Sequence, residues 1–147
     1  MTRKEKALDL FCRNFHCSQA ILAAYAEECG LTEELALKLG GCFGGGMRRG
    51  EVCGACTGAL MVLGALYGQS DEADLTAREL SNKVNNEMME RFAERAGSYL
   101  CREILGCDIS TAEGVQYARS NRLFTELCPK FVAAAADVLE ELIAENQ

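Results

Sequence analysis

Signals for β-strands, proline and histidine are all scarce in this sequence. β-Branched residues are few, and no segment alternates apolar and polar residues over several positions, so strand signals are almost absent. The only proline, Pro129, stands where a first helical residue tolerates it. The single histidine, His16, and the lack of a C-x-x-C-H motif argue against covalently attached c-type haem.

Basic stretches and long apolar runs are also missing. The net charge is −7 and the only dense basic spot is Arg48-Arg49, which argues against binding to a nucleic-acid backbone. The most apolar window, residues 52–67, is too short and too rich in glycine to span a bilayer comfortably. The N-terminal residues carry charges where a signal peptide has its apolar segment. We therefore expect a cytoplasmic protein that binds neither nucleic acid nor membrane.

Helical spacing of apolar residues is widespread in the rest of the chain. It predicts an all-α fold, with one domain over residues 1–147 that forms a bundle of five to seven helices. A glycine-rich loop, residues 40–50, precedes the apolar helix. Residues 107–121 are polar and allow only a weak helix. The predicted helices are 3–13, 17–29, 32–39, 52–67, 75–96, the short segment 99–105 and the segment that starts at Pro129.

Cysteine is abundant, with nine in 147 residues. A reducing cytoplasm disfavours disulfide scaffolds, so cysteine clusters there more often indicate metal binding or redox chemistry. The alternative is that free cysteine packs as a small hydrophobic residue. We expect about half of the nine to do so.

Four cysteines are predicted at or near helix N-termini: Cys17, Cys53, Cys101 and Cys128, the last at the N-cap before Pro129. The first amides of a helix lack internal acceptors, and the helix dipole places partial positive charge there. Both effects stabilise a thiolate, so we expect lowered thiol pKa values. A bundle that gathers these termini at one end would bring four thiolates together. The alternative is that some of the nine cysteines lie at helix ends by chance.

The other five cysteines give weaker signals. Cys56 lies one helical turn beyond Cys53, and the two form a C-x-x-C pair at a helix start, as in dithiol oxidoreductases. No strands flank the pair, so we reject a thioredoxin fold and keep thiol exchange open. Cys12 and Cys29 are expected to pack in the core, and Cys107 to lie in a loop. Cys42, in the glycine loop, could reach the same site as Cys53.

Several motifs occur in a recognisable order along the chain. The segment CGACTG, residues 53–58, is similar to the CGAxxG signature of the C_GCAxxG_C_C family of redox-active proteins. Further similarity lies in HCSQAILAAYAEECGL, in the glycine-rich segment before the signature, in ERAGSYLCREILGCD and in the late cysteine. The resemblance implies redox activity through four cysteines, and the matching positions are Cys17, Cys53, Cys101 and Cys128.

Three further residues are candidates for binding a cofactor. Gly54 and Gly58 lie four apart on one helix face, where small residues let another backbone approach and bare amides could donate to a sulfur. Close helix packing alone would explain them equally well. Arg48 could hold an anion or stabilise thiolates, although a solvated loop explains it too.

Three hypotheses for function follow. The first is an electron-transfer protein in which Cys17, Cys53, Cys101 and Cys128 ligate an iron–sulfur cluster. The second is a metal-free dithiol–disulfide oxidoreductase or redox sensor, in which Cys53 and Cys56, or pairs among the four, would cycle. The third is a structural zinc protein. A redox partner protein follows from the first hypothesis, and Ala- and Gly-lined helices could support a homodimer.

Overall fold

A computed structural model describes all residues, 1–147, and shows an all-α fold without strands, as predicted. There are nine α-helices rather than five to seven, because the polar region before the last helix contributes two short ones. The helices are α1 Arg3–Cys12, α2 Cys17–Ala24, α3 Glu33–Leu39, α4 Gly54–Tyr67, α5 Leu75–Ala96, α6 Cys101–Leu105, α7 Ala112–Ser120, α8 Leu123–Glu126 and α9 Cys128–Glu145.

Most predicted helices are confirmed, with differences at some ends. Thr32 caps α3 by accepting a hydrogen bond from the Leu35 N–H at 3.1 Å, as expected of an N-cap threonine. Helix α2 is shorter than predicted and ends at Ala24. The next amides, those of Tyr25 and Ala26, bond to carbonyls three residues back, so the chain tightens into turns there.

The core lies between α1, α2, α4, α5 and α9. On α5, the side chains of Val84, Met88 and Phe92 are buried, and their spacing of four places them on one apolar face of the helix. Helix α9 buries seven residues along its length against the other helices. None of the helices combines the length and the apolar character that crossing a bilayer requires.

Helices α2 and α4 approach each other closely at Gly58. A Cβ at this position would lie 2.9 Å from the Ser18 carbonyl oxygen and 3.2 Å from the Ile21 Cβ. Ser18 itself is buried and donates its hydroxyl to the Gly40 carbonyl at 2.7 Å. The contact fixes the start of α2 against the first turns of α4, and Ser18 ties the beginning of the glycine loop to α2.

We expect Gly58→Ala to lower the free energy of unfolding by about 1–3 kcal/mol, because the added methyl group has no room beside backbone atoms. Urea unfolding would measure the change. The matched control is Gly64→Ala on the same helix, where a Cβ meets nothing within 4 Å. That variant should gain up to about 1 kcal/mol from the better helix propensity of alanine. Equal stabilities of the two variants would contradict close packing at Gly58.

Candidate functional site

The four cysteines predicted to open helices do so. Cys17, Cys101 and Cys128 are the first residues of α2, α6 and α9, and Cys53 is the N-cap of α4. One detail differs from the sequence prediction. Cys128 is the first helical residue rather than the N-cap, which is Leu127, so Pro129 takes the second helical position.

A two-residue β-bridge joins the start of α4 to the start of α6. Val52 and Leu100 pair in antiparallel fashion. The Cys53 N–H donates to the Tyr99 carbonyl at 2.8 Å, and the Cys101 N–H donates to the Glu51 carbonyl at 2.7 Å. Two cysteines that are 48 residues apart in sequence are thus held side by side by backbone hydrogen bonds.

A cavity of about 550 Å³ lies where these helix starts meet, and all four cysteines line it. Its walls are otherwise mostly apolar, and they come from α1, α6, α7, α8 and the start of α9. The polar residues among them are Asn14, His16, Arg48, Arg119 and Thr125, and the apolar ones include Phe11, Phe15, Ile104, Ile109, Phe124 and Phe131. The geometry brings residues from six separate segments to one concave surface: 11–17, 45–48, 53–54, 101–109, 115–119 and 124–131.

Cys17 has the most polar surroundings of the four thiols. The neighbouring Cys53 thiol, which donates to the Cys17 sulfur, is the main cause that lowers the pKa of Cys17 to about 7. Burial opposes this shift, and hydrogen bonds from the backbone N–H groups of Gly45, Ser18 and Ala55 support it. Ser18 and Ala55 lie in the first turns of α2 and α4, where N–H groups have no acceptor within the helix. The backbone N–H groups of two helix starts thus help to lower the pKa of Cys17.

Gly54 makes this arrangement possible. A Cβ at residue 54 would lie 2.6 Å from the Cys17 sulfur and 3.0 Å from the Phe43 carbonyl oxygen. Glycine lets the first turn of α4 approach the sulfur closely enough for the Ala55 N–H to reach it. Gly58, one turn further on, contacts α2 at Ser18 and Ile21 instead and does not line the cavity.

The expectation that all four thiols have lowered pKa values is wrong for three of them. Burial raises the pKa of Cys101 and that of Cys128 to about 12, and the neighbouring sulfurs add to both shifts. The pKa of Cys53 is raised because its proton is shared with Cys17 and because it is buried. At these positions loss of solvent outweighs the partial charge of a helix start.

Cys56 does not line the cavity that Cys53 lines. It is fully buried, and its sulfur lies 3.5 Å from the Met89 sulfur on α5. Burial raises its pKa to about 12. The two cysteines of the C-x-x-C motif therefore have different surroundings, because Cys53 precedes the helix whereas Cys56 lies in its first turn and faces the core.

The remaining cysteines are dispersed. Cys29 packs against the core, as expected, and Cys42 is exposed in the glycine loop and does not reach the cavity. Cys12 is exposed and lines the cavity, so the prediction that it packs in the core is wrong. Cys107 is partly buried beside the cavity, and its charge would raise the pKa values of Cys101 and Cys128.

Arg48 lies at the cavity, where its charge partly offsets the raised pKa of Cys101. Sequence reasoning missed the second arginine of the cavity wall, Arg119 on α7. The polar sequence of that helix gives only a weak helical signal, and no motif marks Arg119. The same holds for the aromatic wall, whose residues are spread over α1, α8 and α9.

The thiols do not form a site for a single metal ion. No group of three or more histidine, cysteine, aspartate or glutamate side chains has the arrangement that binding one ion requires. The four thiols are instead distributed around the cavity walls.

Comparison with protein families matches residues 15–142 to a family described as "Putative redox-active protein (C_GCAxxG_C_C)". Comparisons with curated proteins and with solved structures returned no match. The family match covers most of the chain, including all four cysteines that line the cavity. The chain therefore belongs to the C_GCAxxG_C_C family, which is described as redox-active.

Proposed function

We propose that the protein is a dithiol–disulfide oxidoreductase whose reactive pair is Cys17 and Cys53. The single observation that carries the proposal is the position of Cys17, which lines the cavity together with Cys53 and has its sulfur against the start of α4, where a Cβ at Gly54 would lie only 2.6 Å away. The Cys53 thiol and nearby backbone N–H groups lower the pKa of Cys17 to about 7. A thiolate is the nucleophile of thiol–disulfide exchange, and a thiol with a pKa near ambient pH attacks fastest. Cys17 meets both conditions near neutral pH.

The exchange proceeds in two displacements. The Cys17 thiolate attacks one sulfur of a substrate disulfide, forms a mixed disulfide and releases the other half as a thiolate, which takes up a proton. Cys53 then loses its proton to water and attacks the Cys17 sulfur, which releases the second half of the substrate. The protein dithiol is oxidised by two electrons to a Cys17–Cys53 disulfide, and the substrate disulfide is reduced to two thiols. A dithiol reductant or a redox partner protein restores the pair.

The pH dependence of alkylation tests the proposal. We expect iodoacetamide to label Cys17 with a midpoint near pH 7, whereas Cys101 and Cys128 should resist labelling until far higher pH, since burial raises their pKa to about 12. Mass spectrometry of mildly oxidised protein should show a Cys17–Cys53 crosslink that dithiothreitol removes. Cys56→Ser is the matched control, because Cys56 lies outside the cavity, and it should change neither result. A Cys17 midpoint near the ordinary value of about 8.5 would refute the proposal.

A second candidate is an iron–sulfur cluster, favoured by the observation that Cys17, Cys53, Cys101 and Cys128 all line one cavity. Four cysteine thiolates are the usual ligand set, and a cluster spreads its ligands more widely than a single ion does. Zinc would hold its four ligands around one atom, and no group of three or more side chains is arranged for a single ion. Such a cluster would supply one-electron transfer. The chain would contribute the four thiolates and the N–H groups that donate to the Cys17 sulfur.

Two variants separate the candidates. Cys101→Ser and Cys128→Ser should leave thiol–disulfide exchange intact, but each should abolish binding of a cluster. Iron, acid-labile sulfide and zinc would be measured in anaerobically purified protein, with Cys42→Ser as the control outside the cavity. Stoichiometric iron and sulfide that disappear in both variants would favour the cluster, and stoichiometric zinc without redox activity would favour the structural role. Metal-free protein that exchanges disulfides would favour the dithiol pair.

A further inference from the structure

We infer that the cavity selects an anionic substrate of low molecular weight: an apolar disulfide that carries a carboxylate, which Arg48 and Arg119 bind. The inference rests on the proposed exchange at Cys17 for the role of the disulfide. The anion site itself follows from the charge, the size and the wall residues of the cavity.

The charge of the cavity is opposite to that of the protein. The chain carries a net charge of −7 with 22 acidic residues, yet no aspartate or glutamate lines the cavity. Arg48 and Arg119 are the charged residues of the wall, and no lysine is present there. An acidic protein that keeps carboxylates away from one concave surface and places two guanidinium groups there presents a local positive field to ligands.

Both guanidinium groups are free to bind a ligand. Neither Arg48 nor Arg119 forms a salt bridge within the protein, whereas Arg102, which follows the cavity residue Cys101, is paired with Glu51 at 3.2 Å. Arginine presents a planar fork of donors that matches a carboxylate. The two arginines are exposed, so a ligand that enters from solvent meets them first.

The backbone at Arg48 is strained. Met47 and Arg48 have left-handed φ angles of 60° and 59°, which follow left-handed Gly45 and Gly46. Non-glycine residues adopt this region rarely and at an energetic cost, and such strain clusters at functional sites. The strained turn keeps Arg48 beside the thiols, where its charge offsets part of the raised pKa of Cys101.

The size and the remaining walls of the cavity define the rest of the ligand. About 550 Å³ lies within the range of small-molecule sites, roughly 300–1,000 Å³, and is too small for a folded partner. Aromatic and aliphatic side chains such as Phe11, Phe15 and Ile109 form most of the wall. The cavity thus suits a chain of methylene groups with a disulfide at its centre and a carboxylate at its end. The methylene groups would contact the apolar walls, the disulfide would react with the thiols, and the carboxylate would pair with the arginines.

Binding is tested first, without thiol chemistry. The probe is suberate, an eight-carbon dicarboxylate of the same chain length as 3,3′-dithiodipropionate but without a disulfide, and suberamide is its neutral counterpart. Calorimetry should show that suberate binds and suberamide does not. Arg48→Gln and Arg119→Gln should each weaken suberate about tenfold, the size expected for a lost charge-assisted hydrogen bond. Arg48→Lys should restore part of the loss.

The matched control is Arg49→Gln, which removes the same charge from the adjacent exposed residue outside the cavity. It should leave suberate affinity unchanged, and circular dichroism of every variant should match the wild type. Absence of suberate binding, or equal weakening by Arg48→Gln and Arg49→Gln, would overturn the anion site.

Exchange is tested second, with 3,3′-dithiodipropionate, bis(2-hydroxyethyl) disulfide and cystamine as anionic, neutral and cationic substrates. Each rate at Cys17 is divided by the rate of the same disulfide with free glutathione, because the leaving thiols of the three substrates differ in pKa. These relative rates should fall in that order, and the preference should shrink in Arg48→Gln and vanish when Arg119→Gln is added. If suberate binds through the arginines but no disulfide reacts, the exchange function fails and the anion site stands. If all three disulfides react at one relative rate and suberate does not bind, the anion site fails and the exchange function stands.

Discussion

Replacing Cys53 by alanine is expected to raise the pKa of Cys17 and to slow its reactions at neutral pH about tenfold. The donated Cys53 thiol is the largest cause that lowers the Cys17 pKa to about 7, so half of the Cys17 side chains are thiolates at that pH. Return to an ordinary value of about 8.5 leaves only a few per cent as thiolate. The hydrogen bonds from Gly45, Ser18 and Ala55 remain in the variant, so part of the shift should survive.

Serine at position 53 is the control that separates the two roles of Cys53. A serine hydroxyl can still donate to the Cys17 sulfur but cannot form a disulfide. Cys53→Ser should therefore keep the alkylation midpoint of Cys17 closer to pH 7 than Cys53→Ala does, while both variants lose the intramolecular crosslink. Alkylation rates between pH 5 and pH 10 would measure both midpoints. Identical midpoints in wild type, serine and alanine variants would show that Cys53 does not stabilise the Cys17 thiolate.

The sequence was sufficient to predict seven of the nine helices and the four helix-terminal cysteines. The spacing of apolar residues predicts α5 and its buried face correctly, and capping residues such as Thr32 mark helix starts. Helix starts are local features, so the positions of the cysteines relative to them can be predicted without knowledge of the tertiary fold. The resemblance to the family selects the same four cysteines.

The differences among the four thiols could not be predicted in this way. Cys17 and Cys101 both begin helices, yet the pKa of Cys17 is lowered and that of Cys101 is raised. The difference depends on the Ala55 N–H and the Cys53 thiol, which come from a different helix start and reach Cys17 only after α2 and α4 have packed. Burial, which raises the other pKa values, is likewise a property of the whole fold.

The residues of the cavity walls could not be predicted from the sequence either. Arg119 reaches the cavity from α7, which sequence periodicity indicated only weakly, and the bridge between Val52 and Leu100 is too short to leave a strand signal. The C-x-x-C motif was the most conspicuous local pattern, yet Cys56 faces Met89 in the core. A local motif gives the spacing of two side chains along a helix and leaves open which neighbours each will meet.

Replacing Gly54 by alanine is expected to damage stability and reactivity together. The new Cβ would lie 2.6 Å from the Cys17 sulfur and 3.0 Å from the Phe43 carbonyl oxygen, so the sulfur and the start of α4 must move apart. We expect the free energy of unfolding to fall by about 1–3 kcal/mol, the usual range for overpacking. The same displacement withdraws the Ala55 N–H and the Cys53 thiol from the sulfur, so the pKa of Cys17 should rise towards its ordinary value.

A variant of similar stability loss shows whether the change at Cys17 is specific. Val62→Ala removes methyl groups from a fully buried residue on α4 that does not line the cavity, and it should destabilise the protein through the cavity it leaves. Urea unfolding and the pH dependence of Cys17 alkylation would be measured for both variants. Val62→Ala should keep the midpoint near pH 7, whereas Gly54→Ala should shift it upwards. An unchanged alkylation midpoint in Gly54→Ala would show that the close approach of α4 to the Cys17 sulfur does not stabilise the thiolate. The amide and thiol donors of α4 would then be dispensable for the lowered pKa.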